Sequence, residues 1–515
     1  MYDVVLFADS SLTDNEEAWT NKDRFGDIIF EIPTKSAGPY RIASEVRKHG
    51  YTCQIIHLCF YFDIEEIKEI CRKFIGPNTL AVGLSTTFWN LNTKKADHRV
   101  EFLKSIFAHR KKFQELKIVI GGTMSGFYAG RFKADASFNG FSEGKFINYL
   151  NALKNKIELP VPQRYSTTGT PEYDYDKPTE FNFNSSQIKY EVNDCVIHGE
   201  SKVIEIARGC IFNCDFCSFP LNGKKKLDYI KEEEILRLEL IENYEKFGIQ
   251  NYTLSDDTFN DSTYKLEFMH NIISKLPFKI QFVCYLRLDL LHAHREQISL
   301  LKEMGLVGAF FGVETFNHAS GKEIGKGLDP MKQKELLYDL KKYHWKNEVN
   351  ITLGMISGLP FETKQSHQET VNWILNENEC LVDRIRPAPL MVINPLLNTT
   401  PYNSQFQINA SKHGFYWPDK NSNAWKNMFH EVKSFQQATE MSQEMYMAAR
   451  SRNLTYQGNF LLPLVANIAK YEKNPKSLKH LVTMDKLEYA NWYMENRQTL
   501  ITSYVNDYKQ KIMSL

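Results

Sequence analysis

Between residues 203 and 392, short apolar runs alternate with helical patterns, and this alternation constrains the fold more than any other feature. The runs fall at residues 203–207, 251–254, 280–286, 308–313, 350–356 and 383–392. Between them lie amphipathic stretches at 232–247, 264–276, 295–304, 330–344 and 367–376. Strands separated each time by a helix-length crossover run parallel. Six such units over residues 196–395 predict a partial (β/α)6 TIM-like barrel, in which chemistry collects at the carboxyl ends of the strands.

The first of these ends carries Arg208-Gly209-Cys210-Ile211-Phe212-Asn213-Cys214-Asp215-Phe216-Cys217. Three thiols at C-x3-C-x2-C spacing on one loop are close enough to share a metal centre. A cubane iron–sulfur cluster normally takes four thiolates, so three would leave one iron for another ligand. The alternative is a zinc site of the same cysteines completed by a residue such as His198. The other strand ends read Ser255-Asp256-Asp257-Thr258-Phe259, Arg287-Leu288-Asp289, Gly312-Val313-Glu314-Thr315 and Gly354-Met355-Ile356-Ser357-Gly358-Leu359-Pro360.

In spacing, and in the aromatic Phe216, the cysteine stretch resembles the cluster motif of the radical S-adenosylmethionine (AdoMet) superfamily. The resemblance implies a partial barrel and a 4Fe-4S cluster held by Cys210, Cys214 and Cys217. It also implies that AdoMet binds the open iron and is reductively cleaved to methionine and a 5′-deoxyadenosyl radical. It places AdoMet's ammonium group near Asp256 and Asp257, and its carboxylate near Arg287, where a guanidinium can pair with it. Glu314 matches the family's Gly-x-Glu-Ser/Thr element, which contacts AdoMet. Ile356, Gly358 and Pro360 resemble the Gly-x-Ile-x-Gly-x-x-Pro element that packs against adenine, with one residue missing before the proline. Phe216 is expected near adenine or as a shield of the cluster. No residue acting on the substrate is legible. Cys284 and Cys380 make no second ligand pair.

Residues 1–150 show the same alternation, with strands at 2–8, 53–58, 80–85 and 117–120 and helices at 40–49, 64–74 and 100–113. This predicts a Rossmann-like doubly wound sheet whose ligands sit at the carboxyl ends of its strands. The candidate mouth is residues 8–11, 85–88 and 121–125. The phrases Gly38-Pro39-Tyr40-Arg41-Ile42-Ala43, Val119-Ile120-Gly121-Gly122 and Gly140-Phe141-Ser142-Glu143-Gly144 resemble the cobalamin-binding (B12) domain of one branch of the same superfamily. That resemblance implies cobalamin near Ser85, Thr86, Gly121 and Gly122. Phe141 and Ser142 depart from the family's usual turn, and no Asp-x-His-x-x-Gly stretch supplies a lower axial histidine. A Rossmann-like domain without its cofactor is the other reading. Cys53, Cys59 and Cys71 do not fit a second cluster and are expected as buried structural thiols.

Residues 151–195 read as an extended connector. Residues 396–515 read as a mainly helical region closing the barrel, with Thr400-Pro401-Tyr402 and His413-Gly414-Phe415 resembling the stretch after the barrel in cobalamin-type relatives. The net charge of +1 gives no global argument for nucleic acid or a membrane surface. Lys224-Lys225-Lys226 is expected as a solvated turn. Nine cysteines in 515 residues without an export signal point to a reducing cytoplasm. The functional expectation is cobalamin-dependent methylation of an unactivated carbon or phosphorus in a small molecule or peptide, with a flavodoxin- or ferredoxin-type electron donor. Radical cyclisation, oxidation or rearrangement is the alternative within the family. A zinc-stapled binding protein is the alternative outside it.

Overall fold

The computed structural model describes residues 1–9, 35–89, 96–219, 221–376, 381–397, 403–454, 468, 470–471 and 486–515. Ser10 and Ser11 of the expected mouth, Cys380 and Thr400-Pro401-Tyr402 lie outside the described residues. The chain forms two units. One comprises Met1–Ile204, Glu234–Ile249 and Gln498–Leu515, and the other comprises Glu205–Glu233 and Gln250–Arg497.

The first unit is built on β1 (Val4–Phe7), β2 (Cys53–Ile56), β3 (Ala81–Ser85), β4 (Lys117–Gly122), β5 (Ala136–Asn139), β6 (Arg164–Tyr165) and β7 (Pro171–Tyr173). They pair in the order β2-β1-β3-β4-β5-β7-β6. All pairs are parallel except β6 with β7. The order 2-1-3-4-5 is the flavodoxin-like doubly wound arrangement, whose switch point lies between β1 and β3. β1 and β2 are buried along their whole length, as strands covered on both faces must be. The crossovers use α1 (Ala37–Lys48), α2 (Ile64–Phe74), α3 (Ala96–Lys112), α4 (Ser125–Ala129) and α5 (Glu143–Asn155). α2 has the bounds its periodicity predicts and starts on a capping box between Asp63 and Glu66. The segment expected as a connector contributes β6 and β7 to the sheet. Cys53, Cys59 and Cys71 are buried, and burial pushes the Cys71 thiol up to about 12, so these are inert core thiols.

The second unit carries the parallel strands β9 (Asn251–Leu254), β10 (Gln281–Leu286), β11 (Leu306–Glu314), β12 (Asn350–Ser357) and β13 (Arg384–Pro389), in the order β13-β12-β11-β10-β9. With β8 (Lys202–Ile204), at whose end the chain passes from one unit to the other, the sheet counts six. Helices follow β9 to β12 at Thr263–Ser274, Glu296–Glu303, Pro330–Asp339 and Lys364–Asn376, whereas the helix after β8, Glu233–Phe247, belongs but for its first residue to the first unit. The predicted α/β class, with a Rossmann-like first unit and a TIM-like (β/α)6 core, is the observed one. The helix Phe435–Ser451 packs along β13. Trp425, Phe415 and Phe406 form a core there with Leu359, Leu390 and Ala438. A second long helix, Lys486–Ser514, ends the chain. Among the described residues, no helix is long and apolar enough to cross a membrane.

Candidate active site

The loop leaving β8 is pinned by its own backbone. The N–H of Cys210 donates to Leu221 O at 3.1 Å, that of Lys224 to Cys210 O at 3.0 Å, and that of Gly223 to Phe212 O at 2.9 Å. The basic run expected as a solvated turn thus starts as part of this clasp. Gly209 has a φ of +153°, a backbone conformation that side chains seldom adopt, and a Cβ there would fall 2.8 Å from the Lys224 side chain. Upstream, Arg208 grips Glu205 through Nε at 2.8 Å and Nη2 at 3.1 Å, both side chains buried.

Within this frame the three thiols have distinct surroundings. Cys210 Sγ lies 3.6 Å from Thr258 Oγ1 after β9. The Phe219 N–H donates to Cys217 Sγ at 3.4 Å. Arg287 Nη1, at the end of β10, donates to Cys214 Sγ at 3.4 Å, and its guanidinium lies 3.8 Å from the centre of the Phe212 ring. Burial pushes the Cys214 thiol up, while the Lys326 and Arg287 charges favour its thiolate. A loop presenting three thiols, with cations and N–H donors on the sulfurs, has the donor chemistry of an iron–sulfur centre. His198, the zinc alternative's fourth ligand, packs its ring against Gly248 within the first unit.

The predicted AdoMet residues separate into those that face the site and those engaged in holding it. Asp256, expected to meet the ammonium group, is buried and accepts the N–H groups of Ile206 (3.3 Å) and Ala207 (3.1 Å). Its second oxygen pairs with Lys265 Nζ at 3.2 Å, and the same ammonium reaches Asp261 at 2.9 Å. Burial works against the Lys265 charge, but the two carboxylates hold its pKa above the usual value. Asp256 therefore anchors the chain entering the cysteine loop, while Asp257 beside it faces solvent. Arg287 is likewise engaged, bonding Asp289 through Nε at 3.0 Å and Gly325 O through Nη2 at 2.8 Å.

Glu314 ends β11 at a β-bulge. Gly312 pairs with Gly354 and Glu314 with Met355, so Val313 is the extra residue. Glu314 has a φ of +67°, a left-handed conformation that non-glycine residues seldom adopt and that clusters at functional sites. Its carboxylate meets Lys326 Nζ at 2.8 Å, and the same ammonium bonds Gly312 O and sits 5.7 Å from the Phe216 ring centre. Lys326 was missed in the sequence because Gly325-Lys326-Gly327 looks like an ordinary turn. Phe216 and Ile356 pack on the same apolar core.

Gly358 sits instead against the protein's own C-terminal region. At φ +90°, a Cβ there would lie 2.6 Å from Ala438 and 3.3 Å from Trp425. Pro360 is buried beside it, its carbonyl accepting Ser320 Oγ at 2.7 Å. Glu362 holds this turn through the N–H groups of Gly358 and Leu359, and its burial pushes its carboxyl up to about 7. Glu362 lies outside the matched motif and was not anticipated.

In the first unit, Ser85, Thr86, Gly121 and Gly122 come together where β3 and β4 end. The N–H and hydroxyl of Thr86 both donate to Gly121 O, at 2.8 and 2.9 Å. Gly122 has a φ of +102°, and a Cβ there would lie 2.5 Å from Thr87 Oγ1. Ser85, Gly121 and Gly122 are half-buried, so this end presents bare backbone and a hydroxyl.

These geometries define a class, an α/β protein with a three-thiol loop at the carboxyl end of a parallel sheet. Residues 204–374 match the family model described as the Radical SAM superfamily. The recognition made from the cysteine loop and strand ends holds. Among curated relatives, an uncharacterised methyltransferase of Pyrococcus horikoshii is 27% identical over 223 residues, 43% of this chain and 44% of that protein. A tRNA-2-methylthio-N(6)-dimethylallyladenosine synthase of Buchnera aphidicola is 25% identical over 189 residues, 35% of this chain and 42% of its own length. The chain thus spans under half the length of the curated relatives it matches.

Among solved structures, the cobalamin-dependent AdoMet radical enzyme OxsB, with aqua-cobalamin and AdoMet bound, aligns with a TM-score of 0.62. The identity is 15%, covering 97% of this chain and 72% of OxsB. The radical AdoMet methyltransferase TsrM of Kitasatospora setae, bound to tryptophan and an AdoMet analogue, aligns with a TM-score of 0.56. The identity is 14%, covering 80% of this chain and 76% of TsrM. At these identities the likeness is one of fold.

Proposed function

We propose that the chain is a radical AdoMet enzyme that uses cobalamin to methylate an unactivated carbon or phosphorus of a small molecule or peptide. The observation that carries this reading is the convergence of Cys210, Cys214 and Cys217 with Arg287, Glu314 and Lys326 at the carboxyl ends of parallel strands. The bound cofactors would supply the hard chemistry: the cluster an electron, AdoMet a 5′-deoxyadenosyl radical and cobalamin a methyl group.

The chain's own residues supply placement and charge. The three thiolates would hold the cluster, and the Arg287 N–H on Cys214 Sγ stabilises negative charge on that sulfur. Glu314 and Lys326 offer one anion and one cation, complementary to the amino and carboxylate groups of AdoMet. Phe216 and Ile356 offer an apolar wall for adenine. Ser85, Gly121 and Gly122, with the turn held by Thr86, would receive cobalamin by main chain. The electron donor is of the flavodoxin or ferredoxin type, and a small-molecule substrate is supported by the tryptophan bound to TsrM.

The second reading is radical cyclisation, oxidation or rearrangement without methyl transfer.

The test is anaerobic purification and cluster reconstitution with hydroxocobalamin, followed by the optical spectrum of the desalted protein. Retained cobalamin bands beside the iron–sulfur absorption support methyl transfer. Iron–sulfur absorption alone moves the non-methylating reaction to first place. Zinc in place of iron and sulfide overturns both.

A further inference from the structure

Beside the thiols, a different set of donors converges from three separate stretches of the second unit. Asp215 lies on the cysteine loop between Cys214 and Phe216, Glu323 ends the helix His318–Glu323, and His413 lies on the segment after the barrel. One donor atom from each falls within 4.8 Å of the other two. His413 Nδ1 is already 3.3 Å from Glu323 Oε1. From this convergence we infer that Asp215, Glu323 and His413 bind one divalent first-row transition-metal cation, with Zn2+ the best fit.

Three arguments carry the assignment. The first is preorganisation. The Phe406 N–H donates to the Asp215 carbonyl at 3.0 Å, and the Phe406 ring lies edge-on to the His413 ring with 4.9 Å between centres. One residue thus holds the Asp215 backbone and the imidazole together by contacts that owe nothing to their charges. The His413 side chain is 9% exposed.

The second is spacing. Zinc binds imidazole nitrogen and carboxylate oxygen at about 2.0–2.2 Å, which sets tetrahedral donors roughly 3.4 Å apart. The His413–Glu323 pair has that separation, and an Asp215 carboxylate oxygen lies within 4.8 Å of both.

The third is charge. Two carboxylates and one imidazole converge here, with Lys412 a further charge acting on Asp215. A divalent ion offsets both carboxylates at once. The imidazole selects against Mg2+ and Ca2+, which prefer all-oxygen shells, and the absence of thiolate from the set selects against copper(I). Bound there, the ion would clamp the cysteine loop to the helix after β11 and to the post-barrel segment.

The inference does not depend on the radical reading, and its test uses no AdoMet chemistry. The full-length chain carrying Cys210→Ala, Cys214→Ala and Cys217→Ala is titrated anaerobically with Co2+. We expect a single equivalent to bind, with visible d–d absorption, no sulfur-to-cobalt charge-transfer band, and displacement by Zn2+. Adding His413→Gln or Asp215→Asn should abolish saturable uptake. No saturable uptake in the parent, or equal uptake with His413→Gln, overturns the site.

Because the triple variant can fail to fold, the cluster-loaded wild type provides the second measurement. Zinc should raise its Tm by mass action on the folded state, and His413→Gln should remove that rise. A Tm that zinc leaves unchanged in the wild type, or raises equally in His413→Gln, overturns the inference as well.

Discussion

The strand ends of the two units are built in opposite ways. In the second unit they are crowded with charge: Arg287 on a thiol sulfur, Glu314 against Lys326, and Lys265 between Asp256 and Asp261. In the first unit the matching ends offer Gly121, Gly122, Ser85 and the carbonyl that Thr86 caps. A charged set can order a small zwitterion and bias a thiol towards thiolate, but it depends on protonation. A backbone cradle is indifferent to pH and gives way only when a side chain is put in it. The two ends should therefore fail under different perturbations.

The largest expected effect is at the thiols. Replacing any one of Cys210, Cys214 or Cys217 with alanine should abolish both iron–sulfur absorption and AdoMet cleavage while cobalamin retention persists. Retention of either lost property breaks the assignment.

Next is Glu362, which braces the Gly358 turn. Its folded pKa, about 7, lies above its unfolded value, so the folded state holds the extra proton. The stabilisation is complete below about pH 4.5 and is lost as pH rises through 7. A shift of that size is worth about 3 kcal/mol. Urea unfolding at pH 5 and pH 8 should show this fall in the wild type and a flatter profile in Glu362→Gln. Equal pH dependence in the two proteins would remove the contrast between a titrating and a non-titrating turn.

Glu314→Ala should weaken AdoMet binding by about 1.5–3 kcal/mol, the range for hydrogen bonds to charged groups, with iron content intact. Calorimetry with the reconstituted protein reads this directly. Smallest is Gly122→Ala, which adds a side chain to a left-handed backbone at a cost of about 1–2 kcal/mol. It should lower cobalamin retention and leave the iron–sulfur spectrum unchanged. A loss of iron in that variant would mean that the change disturbs far more than the cradle.

The elements were legible because hydrophobic periodicity is a local property. α2 and β9 have the bounds that their apolar spacing gives, and the cysteine loop could be read as a metal centre from spacing alone. What escaped was non-local. Asp256 looked like a ligand-facing acid because its neutralising partner, Lys265, sits on the following helix. Lys326 belongs to the site only because its turn folds back onto Gly312 and Glu314. β6 and β7 read as connector in the sequence because strands of two and three residues, one beginning with proline, are too short to show alternation. Gly358 could be recognised as a special position, but not that its neighbours would be Ala438 and Trp425.

The bulge at Val313 has a consequence of its own. Val313 is a spare link: Glu314 sits opposite Met355, the place a regular strand would give to the residue directly after Gly312. The surplus is absorbed in the backbone, and Glu314 carries it as a φ of +67°. Deleting Val313 would leave Glu314 its partner across the sheet and remove the bend, so the deletion tests how far the pairing with Lys326 rests on backbone shape alone.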